Sequence, residues 1–460
     1  MSLWDISIAY LGARFRRFRG RAELERWQNK KVNRLLAYVL PRSEFYRERI
    51  KATSQSDWRN LPIMTRLDMM THFSRLNTVG VSVADAMSVA LRSEEDRTFS
   101  RGLGDFTVGL SSGTSGHRGL FLVSPQERHR WAGTILARVL PTSGWWFSKH
   151  RIAFFLRANS NLYQTVESKR VQFEYFDLLD ALEEHIERLN SLQPTLLVGP
   201  PSLLIQLATA QQDGRLKINP KRVVSVAEVL EPMDEMTIQH VFQQTVHQVY
   251  QATEGLIATT CSWGTLHLSE DVVAVDREII DPDSGRFHPI ITDLSRTTQP
   301  IIRYRLDDVL VPRSHPCPCG SIMTAVEAVE GRADDVFYGV GSKGPVALFP
   351  GVIRQAILLA TNEIAQYGVR QRTPESIELY LDVLNPEADD KAYRAVCAQL
   401  NAVFRGRFCN LPRICRIADW PRDPLSKLRR VVREFRLEEM WDQSDGNINI
   451  VGSKQVTPGF

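Results

Sequence analysis

Along the middle of the chain, short apolar runs alternate with longer stretches whose apolar residues recur at helical spacing. The runs Arg151–Arg157, Thr195–Val198, Arg222–Ala227 and Gln248–Tyr250 predict buried strands, and Phe176–Ser191 and Ser202–Gln212 between them predict helices. Strands alternating with helices imply an α/β protein built on parallel sheets. Asp281-Pro282-Asp283-Ser284-Gly285 is a strong turn signal. Beyond it, Pro289–Asp293 and Pro300–Tyr304 predict strands of a smaller β-rich layer. From Phe337 onward a helix around Val352–Leu359, a strand around Ser376–Leu381 and a helix around Lys391–Phe404 predict a small α+β lid. The expected organisation is a large N-terminal domain over 1–336 and a small, mobile C-terminal domain over 337–460.

The opening departs from this pattern. Trp4, Ile6, Ile8, Tyr10, Leu11, Phe15 and Phe18 are mixed with Arg14, Arg16, Arg17, Arg19 and Arg21. Such a segment either rests on an anionic membrane or partner or forms an amphipathic helix packed on its own domain with its arginines in water. The second reading is preferred. Elsewhere charge changes little: 57 Lys and Arg stand against 53 Asp and Glu, a net charge of +4 over 460 residues, which does not imply nucleic-acid binding. No apolar run approaches the roughly 18 residues that span a bilayer, and the opening is expected to lack a proper signal-peptide core because arginines interrupt it. A cytoplasmic location is the expectation.

The densest chemistry lies in Leu110-Ser111-Ser112-Gly113-Thr114-Ser115-Gly116-His117-Arg118-Gly119. Glycines let the backbone approach a ligand and present several N–H groups, and the hydroxyls add donors, so a phosphate is the expected guest. No Gly-Lys-Ser/Thr triplet closes the loop, which disfavours a Walker site.

This loop resembles the signature of the adenylate-forming enzymes, in particular their phenylacetate–CoA ligase and capsule-biosynthesis branch. Phe45-Tyr46-Arg47 and Leu61-Pro62-Ile63-Met64-Thr65-Arg66 resemble that branch's amino-terminal phrases. Val249-Tyr250-Gln251-Ala252-Thr253-Glu254-Gly255, Ile302-Arg303-Tyr304-Arg305-Leu306-Asp307-Asp308 and Gly331-Arg332-Ala333-Asp334-Asp335 follow in the family's order. The stretch from Pro421 to Val432 is similar to the loop bearing its catalytic lysine, here Lys427, although Ser426 replaces the usual glycine.

The resemblance implies ATP-dependent activation of a carboxylic acid, aryl or arylalkyl, to an acyl-adenylate with release of pyrophosphate. Acyl transfer to coenzyme A, a carrier protein or an amine would follow. It implies catalytic roles for Lys427, Glu254 and Thr114. Contacts to ATP or AMP fall to Ser111, Ser112, Gly113, Thr114, Ser115, Gly116, Glu228, Tyr250, Gln251, Ala252, Thr253, Asp308 and Arg332. Glu254 suits magnesium, which prefers oxygen ligands and often takes one carboxylate plus phosphates. Asp308 suits the ribose hydroxyls, being an acceptor with two oxygens. Walls of the acid pocket are expected near Trp145-Trp146-Phe147, Gly199-Pro200-Pro201-Ser202 and Ala227-Glu228. A non-catalytic nucleotide-binding relative, or an adenylylating enzyme acting on a cofactor or polysaccharide precursor, is the alternative; a homodimer is an open alternative for assembly.

A second constellation suits zinc. Cys261 and His267 stand six positions apart, and Cys317 and Cys319 sit in a Pro-Cys-Pro-Cys-Gly knuckle. Four Cys and His ligands are the usual set of a structural zinc site. Cys397, Cys409 and Cys415 follow no such pattern.

Overall fold

The computed structural model describes residues 2–53, 57–96, 102–111, 118–141, 148–156, 167–342, 344–420 and 427–437. It divides into two compact units. Met1–Val329 with Asp423–Leu428 forms the first, and Glu330–Arg422 with Arg429–Phe460 the second.

The first unit opens with helices α1 (Ser2–Phe15), α2 (Arg21–Val39), α3 (Glu44–Lys51), α4 (Arg66–Thr71), α5 (Phe73–Leu76) and α6 (Val83–Glu95). Helix α4 starts at Thr65 because Thr65 and Asp68 cap each other, each side chain accepting from the other's backbone N–H. A small antiparallel sheet follows, made of β1 (Gly102–Leu103), β2 (Phe106–Leu110) and β3 (Leu120–Val123), and leads to α7 (Pro125–Val139). The same reciprocal cap, Ser124 with Glu127, starts α7. Glu127 also accepts from the backbone N–H groups of Thr297 and Thr298, 2.6 and 2.8 Å away. Burial works against its charge, but these donors outweigh it and hold the carboxyl below its ordinary range.

The large sheet is assembled from β4 (His150–Leu156), β5 (Val171–Asp177), α8 (Leu182–Leu192), β6 (Leu196–Gly199), α9 (Pro201–Gln212), β7 (Arg222–Val226), α10 (Pro232–Phe242) and β8 (Val246–Ala252). It continues through β9 (Gly255–Thr260), β10 (Leu266–Leu268), β11 (Val273–Asp281), β12 (Arg286–Asp293), β13 (Tyr304–Arg305), β14 (Asp308–Pro312) and β15 (Ala325–Arg332). Among the described residues the order is β11-β12-β14-β15-β10-β9-β8-β7-β6-β4-β5, with β13 paired to β12. From β5 to β8 the neighbours are parallel, and at β8–β9 the pairing turns antiparallel. Consecutive residues of the parallel strands serve opposite cores: Ala153, Leu197 and Val223 pack with α8, α9 and α10, whereas Ile152, Val198 and Val224 pack with α1 and α7. Alternation between two apolar faces is what a sheet covered by helices on both sides requires. Among the described residues no helix is long and apolar enough to cross a membrane.

Helix α1 lies very close to α7. A Cβ added at Gly133 would come within 2.2 Å of the Ile6 carbonyl oxygen. Ile6, Tyr10 and Ala13 are buried in this contact. The segment thus packs on its own unit, but its arginines do not all go to water. Arg14 donates to Ala137 O at 3.1 Å near the end of α7, Arg16 and Arg138 pair with Asp271, and Arg21 pairs with Glu270. Arg222 reaches Val139 O at 3.0 Å from β7, a cation placed at the negative end of the helix dipole.

Two expected elements differ. The helix expected over Phe176–Ser191 begins only at Leu182, because Val171–Asp177 pairs in parallel with β4 and the Phe176 ring stacks on Phe155 at 4.5 Å. Pairing and core packing override the local helical spacing there. Pro300–Tyr304 is not a strand until Tyr304: Arg303 adopts a left-handed φ of 52°, and its carbonyl accepts from Met64 N at 2.8 Å.

The second unit holds a hairpin of β16 (Phe337–Gly341) and β17 (Gly344–Leu348), helix α11 (Pro350–Leu358), and β18 (Ile364–Thr373) and β19 (Ser376–Val383). Helix α12 (Asp389–Gly406), β20 (Arg413–Arg416) and β21 (Val431–Arg433) complete it. Its sheet runs β20-β19-β18-β21, antiparallel at its centre and parallel at both edges. Buried Gln371 ties the hairpin to β18, donating to Tyr338 O and accepting from Tyr338 N.

Candidate active site

The β8–β9 hairpin carries the first cluster. Tyr250, Gln251 and Ala252 end β8, and Thr253 and Glu254 form the turn. The Tyr250 hydroxyl donates to Asp308 Oδ2 at 2.6 Å, joining the end of β8 to the start of β14. Gln251 Oε1 accepts from the Trp131 indole at 3.0 Å. Glu254 is buried, its carboxylate accepting from the Thr253 hydroxyl at 2.8 Å and hydrogen-bonded to the Tyr304 phenol, which also meets Arg66. Burial, and then the Glu254 charge, push the Tyr304 hydroxyl far above its ordinary range, so it stays protonated. Arg66, from the first turn of α4, lies 4.0 Å from Asp307 and supplies the cation this acidic corner needs.

The loop at Ser111 is closed at its neck. Ser111 N donates to Gly119 O and Gly119 N donates to Ser111 Oγ, both at 2.8 Å. Ser112, Gly113, Thr114, Ser115 and Gly116 lie outside the described residues, as do Trp145, Trp146 and Phe147. Glu228 follows Ala227, whose left-handed φ of 68° turns the chain sharply after β7. Its carboxylate accepts from Ser202 N at the start of α9, at 3.3 Å, and from Leu428 N, at 3.1 Å. Lys427 therefore stands beside a residue anchored to the same unit as Tyr250, Glu254 and Asp308. Arg332 ends β15 in the second unit, and its N–H donates to Asp335 at 3.3 Å. Asp335 also accepts from Arg429 at 3.0 Å.

The four zinc candidates converge. One donor atom from each of Cys261, His267, Cys317 and Cys319 lies within 4.8 Å of all the others. Cys261 and Cys317 sulfurs are 3.7 Å apart, and Cys319 Sγ is 3.4 Å from His267 Nε2. Zinc–sulfur bonds of about 2.3 Å in a tetrahedron give sulfur–sulfur edges of about 3.8 Å. His267 Nδ1 faces Met323 O at 3.1 Å; a carbonyl only accepts, so the proton sits on Nδ1 and Nε2 turns its lone pair to the sulfurs. The donor set and spacing fit the metal.

Sequence reading named most of these residues but gave no role to Arg66, Tyr304 or Trp131. Arg66 and Tyr304 sit inside family phrases, and Thr65 and Asp68 advertise the cap that aims Arg66. Nothing local marks Trp131, which is brought to Gln251 by α7.

No family model matches the chain. Among solved structures, 2-hydroxyisobutyryl-CoA ligase in the postadenylation state with its acyl-AMP aligns over 93% of both chains with a TM-score of 0.67 at 16% identity. The chain has the fold of the adenylate-forming ligases. The amide bond synthetase McbA of Marinactinospora thermotolerans aligns with the same ligase fold over 74% of this chain and 70% of its own, with a TM-score of 0.50 and 13% identity. In sequence, the indoleacetate–lysine synthetase of Pseudomonas savastanoi is 30% identical over 136 residues, 29% of this chain and 33% of that protein. The phenylacetate–coenzyme A ligase of Thermus thermophilus is 28% identical over 120 residues, 24% of this chain and 26% of that protein. The matched stretches thus span about a third and a quarter of these two curated relatives.

Proposed function

We propose that this protein activates a carboxylic acid with ATP as an acyl-adenylate and passes the acyl group to a thiol or an amine. A carboxylate oxygen attacks the α-phosphorus, pyrophosphate leaves, and the acceptor then displaces AMP. The observation that carries the reading is the docking of the Lys427–Leu428 segment, through Leu428 N, on Glu228 of the unit that also holds Tyr250, Glu254 and Asp308. In this reading Lys427 stabilises charge developing at the α-phosphate. Asp308, oriented by Tyr250, holds the ribose hydroxyls; the loop bounded by Ser111 and Gly119 is assigned to the phosphates, and Arg332 to nucleotide binding. Glu254 would hold Mg2+, which would neutralise phosphate charge, and Arg66 with Tyr304 keeps that carboxylate in place.

An arylacetic acid is the proposed substrate class, since the relatives from Pseudomonas savastanoi and Thermus thermophilus are named for indoleacetate and phenylacetate. Their second substrates, lysine and coenzyme A, frame the choice of acceptor. We assign structural zinc to Cys261, His267, Cys317 and Cys319; four protein ligands leave no position for a reacting water. ATP–pyrophosphate exchange across arylacetic, aliphatic and amino acids, followed by mass analysis with coenzyme A or lysine, tests the reading. Acid-dependent exchange is expected, and a protein that binds ATP yet exchanges with no acid overturns it.

A further inference from the structure

Helix α1 has two apolar faces, and among the described residues only one is packed against the rest of the chain. Ile6, Tyr10 and Ala13 are buried against α7. Trp4, Ile8, Leu11 and Phe15, spaced by four, three and four residues, form a single stripe on the opposite side. They are 72%, 54%, 43% and 70% exposed. A stripe of large apolar side chains about 16 Å long, at about 1.5 Å per residue, is an unusual thing to leave in water.

Charge says what covers it. Residues 1–34 hold nine Lys or Arg and three Asp or Glu, a net charge of +6 in a chain of net +4, so the remaining residues carry −2. Arg16 and Arg21 are engaged by Asp271 and Glu270. Arg17 and Arg19, directly after the helix, are exposed, as are Arg26, Lys30 and Arg34 along α2. A second copy of this chain would bring the same positive charge to the stripe and repel it. An anionic surface that also accepts apolar side chains satisfies both features.

We propose that the outward stripe of α1 docks the protein on an anionic lipid bilayer. The helix lies in the interface with Trp4, Ile8, Leu11 and Phe15 among the acyl chains and Arg17 and Arg19 against the headgroup phosphates. With 14 residues α1 is too short to span, so the association is peripheral and reversible. Ile6 and Tyr10 keep the helix on the protein while its other face meets lipid.

Co-sedimentation of the full chain with vesicles of phosphatidylcholine, with and without phosphatidylglycerol, tests the proposal. Binding should need phosphatidylglycerol and weaken with salt. Arg17→Gln/Arg19→Gln should lower partitioning about thirtyfold, and Trp4→Ser/Phe15→Ser by at least about a hundredfold. Because all four side chains are exposed, the melting temperature of each variant should stay unchanged. Binding indifferent to phosphatidylglycerol, or equal in the Trp4→Ser/Phe15→Ser variant, overturns the proposal. So does light scattering that finds a dimer abolished by that variant, which would give the stripe to a second copy.

Discussion

Replacing Gly133 by alanine separates intrinsic helix preference from packing. In an exposed helix the change stabilises by about 1 kcal/mol. Here the new methyl would sit 2.2 Å from Ile6 O, 2.7 Å from Ala9 Cβ and 2.8 Å from Tyr10 N. A carbon–oxygen contact needs about 3.3 Å. Two of these neighbours are backbone atoms, so no rotamer relieves the clash and α1 must move by about 1 Å. Lifting it off altogether would expose Ile6 and Tyr10, at about 1.5–3 kcal/mol for each large side chain. Partial displacement should cost about 1–3 kcal/mol, typical of an overpacked contact. The undocked state should then rise about 10- to 100-fold, read as faster trypsin cleavage among Arg14, Arg16, Arg17, Arg19 and Arg21. Gly406→Ala is the control, since a Cβ there meets nothing within 4 Å. A Gly133→Ala protein cut no faster than wild type and melting no lower would refute the reasoning.

Lys427→Ala should slow pyrophosphate exchange about 100- to 1000-fold with ATP affinity largely kept, because the ammonium acts on charge that appears in the transition state; equal exchange removes it from the mechanism. Glu254→Gln should raise the magnesium requirement, and an unchanged magnesium titration would leave Glu254 as a turn residue. Elemental analysis should find one zinc per chain, and Cys317→Ser should lose it and melt at least ~5 °C lower; a metal-free wild type ends that assignment. Burial and the nearby Arg222 charge pull His247 down to about 4 from 6.5. The unfolded chain therefore binds the extra proton first, and stability falls as pH drops through that window, by about 2 kcal/mol given the water that still reaches the ring. Urea unfolding of His247→Gln should show a flatter acid limb; an identical limb assigns it elsewhere.

The parallel half of the fold was legible because buried strands such as Arg222–Val226 are short, apolar and separated by helix-length segments. Val171–Asp177 was not, since residues that alternate weakly become a strand only when β4 offers a partner. At the site, residues recognised by their phrases were named, whereas Trp131 reaches Gln251 across 120 positions and leaves no local trace. The outward stripe of α1 was partly visible: the apolar residues and arginines could be read, but which apolar residues face inward depends on where Gly133 lets α7 approach.

The pairing of β10 with β15 sets Leu266 opposite Val326, and this seam joins the two halves of the large sheet. Neighbours in the parallel half lie 21 to 44 residues apart along the chain, whereas the seam joins partners 60 residues apart, so closing it costs somewhat more chain entropy. His267 lies on one side of that seam and Cys317 and Cys319 on the segment leading to the other. A metal held there would fasten the two sides of that seam together, so chains refolded with zinc present from the start are expected to fold in higher yield than chains given it afterwards.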